Sequence, residues 1–169
     1  MSSADLTVLR FIEESVIGIT PDNSVKATGT LTATSNFTNG ETITIGTKVY
    51  TFQSTLTNVD GNVKIGATLA DSLLNLLRAI NNLGGTPGTD YADSTEAHTS
   101  VSATASNATT LTIRALIGGT AGNSIATTES AANASFGAAT LLTGANSSIT
   151  AWKQVRFTGE SLNFNIENT

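Results

Sequence analysis

The chain contains no cysteine, which excludes disulfides and thiolate metal sites. It has a single histidine and a single tryptophan, and aromatic residues supply only 5% of it. Charged residues make up 12%, whereas they supply roughly a quarter of an ordinary soluble protein. Lysine and arginine together number 8, scattered from Arg10 to Arg156, and the formal net charge is −5. A nucleic-acid-binding surface of the usual kind needs clustered cations, so none is expected. No run of about eighteen apolar residues is present, so no membrane-spanning helix is expected. The start, Met1-Ser2-Ser3-Ala4-Asp5, lacks the basic and long apolar regions of a secretory signal. Synthesis in the cytoplasm is the expectation that follows.

What is present is threonine, serine, asparagine and glycine, on a 39% hydrophobic background in 169 residues. That length suffices for a real core. The composition suits strands and tight turns, because Thr is β-branched and Asn and Gly tolerate positive φ. Residues 28–35 form a Thr-rich run followed by Asn39-Gly40, a favoured turn pair. Thr42-Ile43-Thr44-Ile45 and Val49-Tyr50-Thr51-Phe52 then flank Gly46-Thr47. The pattern predicts an antiparallel meander of three strands. Asp60-Gly61 marks another turn, with a short strand expected at Val63-Lys64-Ile65.

One helix is predicted, over residues 69–83, from Leu69, Leu73, Leu76, Leu77, Ile80 and Leu83 recurring on one face. Thr68 and Asp71 have the spacing of a capping box, and Gly84-Gly85 supplies a stop. Beyond it, Val101, Ala103 and Ala105 alternate with Ser and Thr, and Leu111, Ile113 and Ala115 alternate with Thr and Arg. A turn at Asn107-Ala108-Thr109 joins these two strands; Gly118-Gly119-Thr120-Ala121-Gly122-Asn123 reads as a loop. Short strands are expected at 124–128 and 139–143. The fold class is therefore α+β, mainly β, with antiparallel strands and one amphipathic helix.

No catalytic constellation emerges. His98 sits in a Ser/Thr loop without a G-x-S-x-G elbow, so it reads as a surface or hydrogen-bonding residue. Asp90, Asp93 and Glu96 form an acidic cluster beside it, but the spacing lacks the signature of a calcium loop. The Gly118–Gly122 stretch has no Lys-Ser/Thr of a phosphate loop and reads as a tight turn. No enzyme activity, cofactor or metal is predicted.

The two ends differ in character from the block between them. Leu9-Arg10-Phe11-Ile12-Glu13-Glu14-Ser15-Val16-Ile17-Gly18-Ile19-Thr20-Pro21 and Ala151-Trp152-Lys153-Gln154-Val155-Arg156-Phe157-Thr158-Gly159-Glu160-Ser161-Leu162, joined head to tail, resemble the opening of tail tube (major tail) proteins of long-tailed bacteriophages. The middle block, through Thr42-Ile43-Thr44-Ile45-Gly46, Leu111-Thr112-Ile113-Arg114-Ala115 and Gly118-Gly119-Thr120-Ala121-Gly122-Asn123-Ser124-Ile125, resembles a module recurring in phage structural proteins. The resemblance implies an extended arm over residues 1–24, an inserted α+β domain over 25–148 facing outward, and a tube-wall strand over 149–169. It implies a virion tail location after synthesis in the host cytoplasm. The subunit would form a self-assembling, hexameric ring that contacts other tail proteins. DNA would pass through the lumen without specific binding, and no membrane would be involved. Candidate subunit contacts are Arg10, Phe11, Glu13, Glu14, Trp152, Arg156, Phe157 and Glu160, since Trp and Arg are enriched at interface centres. The family fold continues beyond the Ser161-Leu162 strand, which leaves open a shorter decoration or connector protein. A host-surface, glycan-binding module is the other alternative.

Overall fold

The strongest hairpin signal is met in the computed structural model, which describes residues 23–147. Strands β2 (Thr42–Ile45) and β3 (Lys48–Gln53) pair antiparallel, Ile45 opposite Lys48, around Gly46 at φ 58°. Ile43, Ile45, Tyr50 and Phe52 are all fully buried, so the period-two alternation places one face of the hairpin in the core.

The expected three-strand meander does not form. Strand β1 (Thr28–Ala33) does not pair with β2. Asn39-Gly40 is a turn, with Glu41 N–H donating to the Thr38 carbonyl and Gly40 at φ 91°, yet the chain reaches it after crossing between sheets. Phe37 fixes that crossing: its ring stacks on Phe52 at 3.8 Å between centroids. Alternation marks a half-buried strand without specifying its neighbour, and here a buried aromatic contact decides it.

After the hairpin come β4 (Asn62–Lys64), helix α1 (Leu69–Asn81), β5 (Val101–Ser106), β6 (Thr110–Ala115), β7 (Thr127–Glu129) and β8 (Ala134–Phe136). Two four-stranded sheets result, in the orders β5-β6-β1-β8 and β4-β3-β2-β7. The pairs are antiparallel except β4, which runs parallel to β3. Strand β8 has no counterpart in the sequence reading, where Gly137 and short Ala/Ser runs hide it. The strand expected at 139–143 is a chain of bridges that changes sheets. Thr140 bridges Ala126 next to β7, while Leu142 bridges Thr28 of β1. Leu141, fully buried between these contacts, ties the two sheets to one core.

Helix α1 begins as predicted. Thr68 Oγ1 accepts from Asp71 N–H and Asp71 Oδ2 accepts from Thr68 N–H, a complete capping box. It ends two residues earlier than predicted. Asn82 adopts the left-handed conformation at φ 45° and its N–H bonds the Ala79 carbonyl, so Gly84-Gly85 follow the stop instead of making it. Leu83 therefore leaves the apolar stripe and is 74% exposed. Leu73, Leu76 and Ile80 remain fully buried, each worth about 1.5–3 kcal/mol.

The sheet orders leave β4, β5, β7 and β8 as edges, and an open edge must be satisfied or it recruits another strand; β4 and β5 show how. The outer edge of β4 is taken by residues 90–92, with Lys64 N–H bonding the Asp90 carbonyl and Ala92 N–H the Asn62 carbonyl. The Lys64 carbonyl also accepts from Asn75 Nδ2 at 3.1 Å. On β5, Asn81 acts as one residue of a missing strand. Its Oδ1 accepts from Ala103 N–H at 2.9 Å and its Nδ2 donates to the Ala103 carbonyl at 2.8 Å. The β5–β6 register slips between Ala103 and Ala105, so Ala105 is exposed although alternation predicts it inward.

Replacing Asn81 by Ala would strand both backbone groups of Ala103. The expected loss is about 1–3 kcal/mol of unfolding free energy, measured by urea denaturation, with faster amide exchange at Ala103. Unchanged stability and exchange would show that water serves this edge as well as the amide does.

Candidate functional site

His98 is buried, 6% exposed, and both ring nitrogens are committed. Nδ1 accepts from Ser100 N–H at 3.0 Å and Val101 N–H at 3.3 Å, and Nε2 lies 3.0 Å from the Ile45 carbonyl. Two N–H donors on Nδ1 require it to be the acceptor, so Nε2–H is the donor to Ile45. An imidazole held this way pins the loop before β5 to the end of β2 and has no nitrogen for a substrate. It is a hydrogen-bonding residue, as expected, but in the interior instead of at the surface.

The acidic cluster separates into local roles. Asp90 pairs with Arg78 of α1 at 3.1 Å and accepts from Thr86 N–H. Asp93 and Glu96 are exposed. Among the described residues no group of three His, Asp or Glu side chains is arranged to hold a metal ion.

Asp60 is the more constrained carboxylate. It accepts from Lys48 Nζ at 2.7 Å and Glu96 N–H at 3.2 Å, which joins the turn before β4 to the loop before His98. Burial pushes its carboxyl up, but the Lys48 hydrogen bond, the Glu96 and Gly61 N–H groups and the Lys48 charge together hold it below its ordinary value. Nearby Tyr50 is fully buried, with no partner for its hydroxyl among the described residues. Burial, then the Asp60 charge, push its phenol far above the usual range, so it is neutral core.

A groove of about 230 Å³ beside β1 is lined by Thr28, Thr30, Phe136, Thr140 and Leu142, among others. Nothing lining it titrates, and it falls short of the ~300–1,000 Å³ of typical ligand sites.

The best-built polar site is where segments 23–28 and 142–147 pair. Val25 N–H and C=O bond Ala145 C=O and N–H at 2.7 and 3.0 Å, and Thr28 and Leu142 exchange bonds of 2.8 and 2.9 Å. The glycine-rich stretch is the clasp on this pair. Residues Thr120–Ser124 form a turn of 3-10 helix. Asn123 projects from it onto Gly144, Oδ1 accepting from Gly144 N–H at 2.8 Å and Nδ2 donating to its carbonyl at 3.0 Å. Asn146 reaches back, its Oδ1 accepting from Thr120 N–H at 3.0 Å. Small residues are required here by contact: a Cβ on Gly122 would lie 2.8 Å from the Ala27 Cβ and 3.0 Å from the Ala115 Cβ. Gly119, at φ 106°, takes a conformation L side chains rarely adopt.

The sequence reading recognised Gly118–Asn123 as a distinctive turn but gave it no task. The partner, Gly144, is 21 residues beyond Asn123, a pairing no local pattern announces. The candidate subunit contacts Arg10, Phe11, Glu13, Glu14, Trp152, Arg156, Phe157 and Glu160 lie outside the described residues. So do the expected arm up to residue 22 and the expected strand at 149–169.

Two outcomes are expected from these contacts. Asn123→Ala should cost about 1–3 kcal/mol and accelerate amide exchange at Gly144 and Ala145 while leaving α1 protected; uniform exchange would show no local clasp. A depressed folded-state carboxyl adds stability that is present above its unfolded value, about 3.9, and is lost as pH falls through the folded value. Urea melts of the wild type should therefore weaken below about pH 4, and Asp60→Asn should flatten that part of the acid limb; parallel curves for both proteins would remove Asp60 from the acid response. In comparisons with known proteins, no family model, no curated protein and no solved structure matches the chain.

Proposed function

We propose that this chain is a structural subunit of a bacteriophage tail, a tail tube protein carrying an inserted domain. The observation that carries the proposal is the paired ends. Residues 23–28 and 142–147 run antiparallel and are hydrogen-bonded at Val25–Ala145 and Thr28–Leu142. A domain whose chain enters and leaves side by side can occupy a loop of a host fold without separating the host's own strands. The tube-like segments at 9–21 and 151–162 are the proposed host, with Arg10, Phe11, Glu13, Glu14, Trp152, Arg156, Phe157 and Glu160 as proposed contacts between copies. The role is mechanical: a self-assembling, hexameric ring, stacked with others and joined to other tail proteins in the virion, through which DNA passes unbound. A chain of formal net charge −5 suits such a passage, because like charge keeps DNA from adhering.

His98, the described residue nearest to a catalytic base, has both nitrogens occupied, which supports a non-enzymatic role. The glycan-binding alternative draws little support from the described residues. Phe37, Tyr50, Phe52 and Tyr91 are buried and Phe136 half-buried, which leaves few faces for stacking a sugar.

Negative-stain imaging of the purified full chain, with light scattering on the same sample, tests the proposal. Rings or tubes are expected. A monodisperse monomer at all concentrations, or turnover of a hydrolase substrate lost in His98→Ala, would overturn it.

A further inference from the structure

One end of the β6–β1 sheet carries an outer surface that adjoins the groove beside β1 through Thr28 and Leu142. Thr28 stands opposite Arg114 on one side and opposite Leu142 on the other, so Arg114, Thr28 and Leu142 form one row across three strands, about 10 Å long at ordinary strand spacing. Lys26 lies two residues before Thr28 in the extended run and falls on that face by alternation, and Leu116 follows directly on the end of β6. The alternate residues Ala27, Ala115 and Leu141 are buried, which makes this row the outward one. Leu116, Ile117 and Leu142 are 42%, 79% and 50% exposed. The ion pairs among the described residues are Lys48–Asp60 and Arg78–Asp90, so Lys26 and Arg114 have no carboxylate partner there. Exposed aliphatics beside an arginine with no carboxylate partner among the described residues form an apolar patch of the kind that marks interaction sites, where Arg is enriched.

The same chain carries a complementary surface. Val59 is 59% exposed on the turn before β4. That turn is tied to the 93–96 loop by Ser94 N–H on Asn58 Oδ1 at 2.8 Å and Glu96 N–H on Asp60 Oδ1 at 3.2 Å. Asp93 and Glu96 are exposed and unpaired on that loop. One surface is thus aliphatic and cationic, the other aliphatic and anionic, in a chain otherwise poor in charge. The pairing of opposite fields sets register and encounter rate between partners.

We propose that these surfaces are two halves of one contact between copies of this chain: the Lys26/Arg114 face of one copy receives the Val59/Asp93/Glu96 loop of another. The proposal rests on the self-assembly reading above and names the contact through which residues 23–147 take part in it.

Full-length protein is examined by sedimentation and negative-stain imaging at 0.1 and 1 M NaCl, beside a face variant (Lys26→Glu with Arg114→Glu) and a loop variant (Asp93→Lys with Glu96→Lys). These positions are exposed or half-exposed, so the thermal melts of both variants should match the wild type. Wild-type association should weaken in high salt, and each variant alone should associate at least about tenfold more weakly. An equimolar mixture should recover association, since the acidic face of one then meets the basic loop of the other. Wild-type-like association of either variant, or a mixture no better than its components, overturns the contact while leaving the tail reading intact. A wild type that never associates removes the tail reading and the contact with it. Binding of a monomeric wild type to phosphatidylglycerol vesicles, abolished in the face variant, would assign the face to an anionic surface and overturn the contact between copies.

Discussion

Side-chain amides standing in for absent strands are the interaction on which this fold depends. Each described strand is six residues or fewer, so the sheets have ends and edges close to every described core residue. A buried backbone group without a partner costs about 1–3 kcal/mol, and the chain has few charged residues to spend on edge protection. Asn81 therefore supplies a donor and an acceptor to Ala103, Asn75 a donor to Lys64, and Asn123 both to Gly144. An asparagine amide carries the same N–H and C=O pair as a peptide group. It can therefore pair with an extended strand without a neighbouring strand being present. The Asn-rich, charge-poor composition and the short-strand architecture are two views of one solution.

The same device links the fold to its proposed use. Helix α1 reaches both sheets, through Asn75 to β4 and Asn81 to β5, while residues 139–142 bridge β7 to β1. The core of Leu73, Leu76, Ile80, Ile43, Leu31 and Leu141 is thereby enclosed from both sides. The two ends of this unit emerge bonded to each other and clasped by Asn123 and Asn146. In the proposed role, such a unit would sit in a host fold without separating the strands on either side of it.

Local signals were legible where one contact sufficed. The hairpin around Gly46, the turn at Asn107 and the Thr68–Asp71 capping box follow from residues within a few positions of one another. The mainly β, α+β class followed as well. What the sequence reading missed were long-range partners: β1 with β6 across more than 75 residues, β4 parallel to β3, and β8. The interior place of His98 was missed for the same reason, because its acceptor, the Ile45 carbonyl, is 53 residues away.

By itself the sequence determined the β2–β3 hairpin, the capped helix with most of its apolar face and the exclusion of disulfide and thiolate chemistry, because those follow from local periodicity and residue type. Only the tertiary structure decided which strands became neighbours, that Asn123 and Asn146 clasp the segments 142–147 and 120–124 together, and that Arg114 shares a row with Leu142. The physical reason lies in the period of a strand. Alternation fixes which way a side chain points but is the same for every partner, so pairing waits on contacts such as Phe37 on Phe52 and Leu141 between the sheets.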